Sequence, residues 1–488
     1  MTTFKASDLR ETTFKAPDLR ETTFKAPDLR DPPPTSRGRR AWVWRFGLAD
    51  LLGPLGILSV VAVVCLWVRF PGVNTLWSER GWGALGLLAG LVAADLMVLQ
   101  VILLARIPWV ERAWGHDVLT RRHRWIGFTS FWLMLVHVAT FAYEYIARDP
   151  SGVASALWAL FVTDPWMLLA TTGALLLIMV VVTSVRAARR RLRYESWHLM
   201  HLYSYLGIAL TFPHMIELGP NFHEAWAKSY WWVMYGLAFT LTLVYRVGTP
   251  IWRSAYHRLR VHSVTEEAPG AATITLTGHR LDRLKTQSGQ FFVWRFLDGP
   301  GWTRGNPYSL SAAPTDDRLR LTIKGAGDGS ARHLRLAPGT RALIEGPYGT
   351  LTARGRRHPH MLMIAAGIGI TPLRAILEDA PYEPGEATLL YRYSADEHAV
   401  LLDEVRELAR ARGIRVHLLP GPRQDQTSWL PAGSPHTDDA AALHDLVPQL
   451  AVSDVYACGP TPWLRAVTRA CRTAGVHRDD LHTEVFAW

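Results

Sequence analysis

Residues 123–137 read HRWIGFTSFWLMLVH, and residues 201–214 read HLYSYLGIALTFPH. Each is an apolar run bounded by histidines. A step of 14 residues advances ~21 Å along an α-helix and returns nearly to the starting face. His123 and His137 therefore address one neighbour at two depths. The 13-residue step from His201 to His214 gives almost the same axial separation, and Pro213 supplies a distortion that compensates for the imperfect rotation. His198 is a rival to His201. Ionisable side chains at membrane depth are costly and mark function. Two facing imidazoles at one level form a site suited to haem iron, so His123, His137, His201 and His214 are the candidate metal ligands.

Around these runs the sequence is lipid-like. Charge-free apolar stretches span 51–68, 125–143, 165–185, 197–216 and 229–245, and the stretch 81–105 is broken by Asp95 alone. Each approaches the ~20 residues needed to cross a bilayer, which predicts a six-helix transmembrane bundle over residues 41–252. The loops between the second and third and between the fourth and fifth runs carry five arginines each. The positive-inside rule then places both termini in the cytoplasm, and the expected location is the plasma membrane, as a multi-pass protein. A composition that is 49% hydrophobic with 3 Cys excludes a disordered chain and a disulfide scaffold. The net charge of +11 sits beside the apolar runs, so its partner is a lipid surface and no nucleic acid is expected. Residues 1–40, with the tandem decapeptide TTFKASDLRE, TTFKAPDLRE, TTFKAPDLRD, read as a disordered tail.

Beyond Tyr245 the pattern changes to short alternating strands, predicting an antiparallel β-barrel over 253–355 and an α/β Rossmann-like domain over 356–488. In the first, Asn306-Pro307-Tyr308-Ser309 ends a strand with an aromatic face for a flavin ring and a hydroxyl for its reactive edge. Lys324 opens KGAGDGSARH, in which Gly327 and Ser330 begin a helix whose free amides suit a pyrophosphate. In the second, an apolar strand enters Gly367-Ile368-Gly369-Ile370-Thr371-Pro372, a dinucleotide-type turn without the third glycine. A second strand carries Arg392 and a third runs into Cys458-Gly459-Pro460.

In this order, the histidine pairs, Asn306-Pro307-Tyr308-Ser309, the Gly367 turn, Cys458-Gly459-Pro460 and the terminal Glu484-Val485-Phe486-Ala487-Trp488 resemble the ferric reductase and NADPH oxidase superfamily, over about residues 45 to 488. That family joins a six-helix haem domain to a ferredoxin-NADP reductase-like module. The resemblance implies that His123 and His201 hold an inner haem, and His137 and His214 an outer one. Tyr308 and Ser309 would contact the FAD ring and Ser330 its pyrophosphate. Gly367, Thr371, Arg392, Cys458 and Gly459 would line the NADPH or NADH site, and Trp488 would stack on the flavin. Asn306 stands where similar proteins carry Arg or His, which implies easily lost FAD.

Hydride donors give two electrons and haem iron takes one, so a flavin is the adaptor between them. The expected function is a transmembrane oxidoreductase passing electrons from cytoplasmic NAD(P)H through FAD and two b-type haems to a small outer acceptor, a ferric chelate or dioxygen. An electron-transfer subunit serving a separate protein, and a haem-free membrane-anchored flavin reductase, are the alternatives.

Overall fold

The computed structural model describes residues 51–69, 72–77, 81–148, 152–189, 191–192, 194–219, 224–325 and 327–486. The decapeptide tail and Trp488 lie outside the described residues. The first half is built on α1 (Leu52–Arg69), α2 (Gly81–Leu103), α3 (His116–Arg148), α4 (Pro165–Ser184), α5 (Tyr194–Leu218) and α6 (Ala225–Thr242). Four stretches, Leu52–Arg69, Gly81–Leu103, Val118–Ala147 and Pro165–Ser184, are long and apolar enough to cross a membrane. Helices α5 and α6 match them in length, 25 and 18 residues, but not in apolarity. Helix α5 carries three histidines and two glutamates, and α6 carries Lys228.

Local chemistry sets these helices. Asp164 caps α4, accepting from the amides of Trp166 (2.8 Å) and Met167 (3.1 Å), with Pro165 opening the first turn. Helix α3 extends well before Trp125 because Arg121, Arg122 and Arg124 are good helix formers. Helix α3 packs chiefly on α2, and α5 on α4. Small residues permit both contacts. A Cβ at Gly90 would lie 2.5 Å from His137 Nδ1, and one at Gly173 would lie 2.7 Å from the Gly207 carbonyl. Asp95 ties three helices together. It is fully buried, and its Oδ1 accepts from Ser59 of α1 (2.7 Å) and Tyr230 of α6 (3.1 Å). The outward apolar side chains Ile57, Val233 and Phe239 are exposed, as lipid-facing residues are.

Helix α7 (Thr249–His257) passes through the expected boundary at 252 and leads directly to the strands. Strands β1 (Arg260–Ala268), β2 (Ala271–Thr277) and β5 (Arg318–Lys324) form one antiparallel sheet. Strands β3 (Phe291–Phe296), β4 (Asn306–Ser309) and β6 (Ala342–Tyr348) form another, in the order β4-β3-β6. Isolated bridges Arg260↔Arg341 and Leu310↔Leu321 join their edges around one core that includes Ile274, Phe292, Trp294, Leu321 and Ile344. Alternation in β3 sends Phe292, Trp294 and Phe296 inward.

The last segment is a five-stranded parallel sheet, β11-β10-β7-β8-β9. Its strands are β7 (His360–Ala366), β8 (Ala387–Tyr393), β9 (Arg415–Pro420), β10 (Ser453–Pro460) and β11 (Leu481–Phe486). Helices including α8 (Ile370–Asp379) and α9 (Thr461–Thr473) complete it, and apolar clusters cover both faces. The carboxyl ends of β7, β8 and β10 carry the Gly367 turn, Arg392 and Cys458-Gly459-Pro460, so one edge gathers all three sequence motifs.

Candidate functional site

The histidines meet in two pairs. The rings of His123 and His201 have centroids 6.0 Å apart at 70°, and those of His137 and His214 are 6.3 Å apart at 51°. Helix α5 continues unbroken through Pro213, and His214 still turns toward α3. Two imidazoles binding one ion from opposite sides, each nitrogen about 2 Å from it, place their centroids roughly 6 Å apart. The centroid separations of both pairs match that spacing. In the His137–His214 pair one nitrogen of each ring is already engaged: His137 Nδ1 lies 2.8 Å from the Gly86 carbonyl and His214 Nδ1 2.5 Å from that of Thr211. Donation to those carbonyls leaves Nε2 the unprotonated nitrogen, the arrangement common behind metal-bound imidazoles. In the His123–His201 pair His201 Nδ1 is 3.4 Å from Ser184 Oγ, and the buried Nδ1 of His123 has no hydrogen-bond partner. Among the described residues no group of three His, Cys, Asp or Glu could hold an ion. Two imidazoles per site would suit a haem, His123 with His201 and His137 with His214.

In the reductase half, β4 alternates. Asn306 and Tyr308 share a face with Leu310, and Tyr308 is turned into the sheet core, 5% exposed, its hydroxyl 3.0 Å from His333 Nδ1. Burial pushes the Tyr308 phenol well above its usual pKa. Ser309 points the other way, and its hydroxyl lies 3.5 Å from Glu484 Oε1 on β11. Pairing of β10 with β11 places Glu484 beside Cys458. Burial, and then the Glu484 charge, raise the Cys458 thiol well above its ordinary pKa, so it is a neutral thiol. Ser309, Cys458 and Glu484 converge where the two halves of the module meet. Glu484 is a further candidate at this junction, brought there by the pairing of β10 with β11.

The phosphate-binding candidates sit at the rims. Lys324 and Pro307 are exposed, and Asn306 Oδ1 is 3.5 Å from where a Gly329 side chain would begin. Ser330 and Gly327 bond reciprocally at the start of the short helix Asp328–His333, at 3.1 and 3.0 Å. Gly367 has φ +53°, and a Cβ at Gly369 would meet the Cys458 carbonyl at 2.3 Å, so this turn needs its glycines. Thr371 and Pro372 are buried, the Thr371 hydroxyl donating to the Ile368 carbonyl at 2.9 Å. Gly459 is buried at the end of β10, while Pro460 is exposed. Arg392 Nη2 reaches the Gly421 carbonyl at 3.3 Å, and its buried Nε has no partner. Burial, and then the neighbouring Arg423, hold the Arg392 pKa below its usual value.

A helical domain with facing histidine pairs, followed by a two-part β and α/β module, defines a membrane oxidoreductase. Comparison with known proteins specifies the pairing. Residues 89–212 match the ferric reductase-like transmembrane component and residues 363–469 the oxidoreductase NAD-binding domain. The chain thus unites the two parts that mark the ferric reductase and NADPH oxidase superfamily. It is 32% identical over 240 residues to the ferredoxin reductase component of 3-ketosteroid-9-alpha-monooxygenase from Mycolicibacterium smegmatis, covering 47% of this chain and 65% of that protein. It is 25% identical over 320 residues to dual oxidase 1 of Rattus norvegicus, covering 59% of this chain and 20% of that one. The chain spans less than two thirds of the first of these relatives and a fifth of the second. The FAD/NAD-binding domain of nitric oxide dioxygenase from Vibrio cholerae aligns with 47% of this chain and 98% of its own, at 22% identity and a TM-score of 0.39.

Proposed function

We propose that the protein carries electrons from cytoplasmic NADPH or NADH across the plasma membrane to a small acceptor on its outer side, a ferric chelate or dioxygen, using FAD and two b-type haems. When bound, the flavin supplies the change from hydride to single electrons, and the haems supply one-electron carriage through the bilayer. The observation that carries the reading is the pair of histidine rungs, with ring centroids 6.0 and 6.3 Å apart. His123 and His201 would hold the inner haem, His137 and His214 the outer. The carbonyls of Gly86 and Thr211 fix the outer imidazoles in the ligating tautomer.

In this reading residues 253–355 hold FAD in a barrel closed by the two edge bridges, and residues 356–488 hold the nucleotide. Ser309, backed by Glu484, hydrogen-bonds at the flavin edge, and the neutral Cys458 packs beside the nicotinamide without ionising. Gly327, Ser330, Lys324 and Asn306 border the flavin diphosphate, while Gly367, Gly369, Thr371, Pro372, Gly459 and Pro460 shape the nucleotide cradle. Arg392 and Arg423 crowd two guanidinium charges at the carboxyl edge of the sheet, an arrangement that an anion relieves. This favours NADPH, whose 2′-phosphate is such an anion. Trp488 would cover the flavin between turnovers. The test is anaerobic addition of NADPH to FAD-supplemented membranes. Reduced b-type haem bands should appear, and haem that stays oxidised while NADPH is consumed would defeat the reading.

A further inference from the structure

The reductase module touches the membrane domain through a buried ionic knot. Arg106 leaves the end of α2 in a left-handed conformation, φ +64°, which aims its side chain away from the helix. Its guanidinium lies 3.2 Å from Glu111 Oε1, 3.8 Å from Glu345 Oε1 on β6, and 4.5 Å from the centre of the Tyr348 ring. The Tyr348 hydroxyl donates to Glu345 Oε1 at 3.0 Å, and Arg295 pairs with Glu345 Oε2 at 3.4 Å. Arg253 of α7 donates to the carbonyl of Gly346 in the same strand. Arg106, Glu111 and Glu345 have side chains only 14%, 4% and 12% exposed, so this is no solvated surface pair. Burial opposes the Arg106 charge, but Tyr348, Glu111 and Glu345 outweigh it and raise its pKa.

The knot is joined by chain and contact to both regions already described. Tyr348 continues into Gly349, where a Cβ would come 3.3 Å from Glu484, and its ring is 5.8 Å from that of Phe291. Arg106 belongs to the loop that leads into α3, the helix of His123. We propose that Arg106 and Glu345 are positioning residues, a latch that fixes the flavin-bearing face against the inner end of the membrane domain and so sets the rate at which electrons enter it. This rests on the reading above of FAD and an inner haem. Oxidation of NADPH to NADP⁺ and H⁺ releases the proton to the cytoplasm and yields two electrons, which cross the latched interface singly and reduce two one-electron acceptors. A flavin site on a module free to shift would keep its chemistry with nicotinamide and lose only the forward transfer.

The test uses the full-length protein with FAD added, comparing wild type, Arg106→Gln, Glu345→Gln and the double variant in anaerobic stopped flow. Haem content, flavin content and the rate of flavin reduction by NADPH should match wild type. Haem reduction should slow by roughly ten- to a hundredfold, the scale on which small misplacement of reacting centres slows a reaction. The double variant should be no slower than the worse single one, because both break one contact. Hydrogen exchange at β6 should rise in each variant. Haem reduction at the wild-type rate in both single variants overturns the latch, as does an equal slowing of flavin reduction, which would mark a general folding defect. Wild-type protein without haem bands would overturn the functional reading itself, and the latch with it.

Discussion

The membrane half and the reductase half build their candidate ligand sites by opposite means. In the membrane half the sites are side chains: four histidines on two helices, with backbone carbonyls of Gly86 and Thr211 only orienting them. In the nucleotide domain the candidate site is framed by backbone, a Gly367 turn and a Cys458-Gly459-Pro460 turn at the ends of parallel strands. The first kind of site should fail at once when a single residue is changed. The second should degrade by steps.

The largest effect is expected at the outer histidines. His137→Ala or His214→Ala should remove one haem and abolish reduction of any outer acceptor, while NADPH reduction of ferricyanide from the cytoplasmic side continues. His198→Ala should retain both haems, because the ring facing His123 is that of His201. Next, Ser309→Ala or Glu484→Gln should lower the NADPH-to-ferricyanide rate by about a hundredfold, a size typical for a positioned polar group, with haem bands unchanged. A backbone site should yield more to steric change than to charge. Gly369→Ala, which drives a Cβ onto the Cys458 carbonyl, should cost about 1–3 kcal/mol by thermal unfolding and weaken NADPH binding. Arg392→Ala should raise the KM for NADPH about tenfold and leave that for NADH nearly unchanged, the loss of one charge-assisted bond.

The smallest effect concerns Cys458. Its folded pKa is raised by burial and by Glu484, so the protonated thiol is favoured by folding. That contribution is complete below the unfolded value of about 8.5 and is lost as pH rises above it. Melting temperature should therefore begin to fall above that pH in wild type and less so in Cys458→Ala. Alkylation of Cys458 at pH 8 should be slow until the protein unfolds.

The same contrast explains what the sequence made legible. Helical spacing carries side-chain sites directly, so both histidine pairs could be read from intervals of 14 and 13 residues. The parallel sheet was legible at β7, β8 and β10, where apolar runs end in glycine turns. Strands β9 and β11 were not, since RVHLLP and LHTEVF are short, mixed in polarity and stabilised by neighbours far away in sequence. Glu484 was quoted only as part of the terminal motif, and its place beside Cys458 became visible only through the strand register. The direction of Tyr308 was equally hidden, because alternation in a four-residue strand does not reveal which face meets the core. Asp95, unexplained as a charge inside a span, acquires partners only when α1 and α6 close on it.

The central claim is that two histidine rungs each hold a haem, and counting haem per polypeptide tests it most directly. Purified protein, measured by pyridine haemochrome against amino-acid analysis, should contain two b-type haems per chain, and His137→Ala should contain one. A wild-type value of one or none, or a His137→Ala variant that still carries two, would contradict the account.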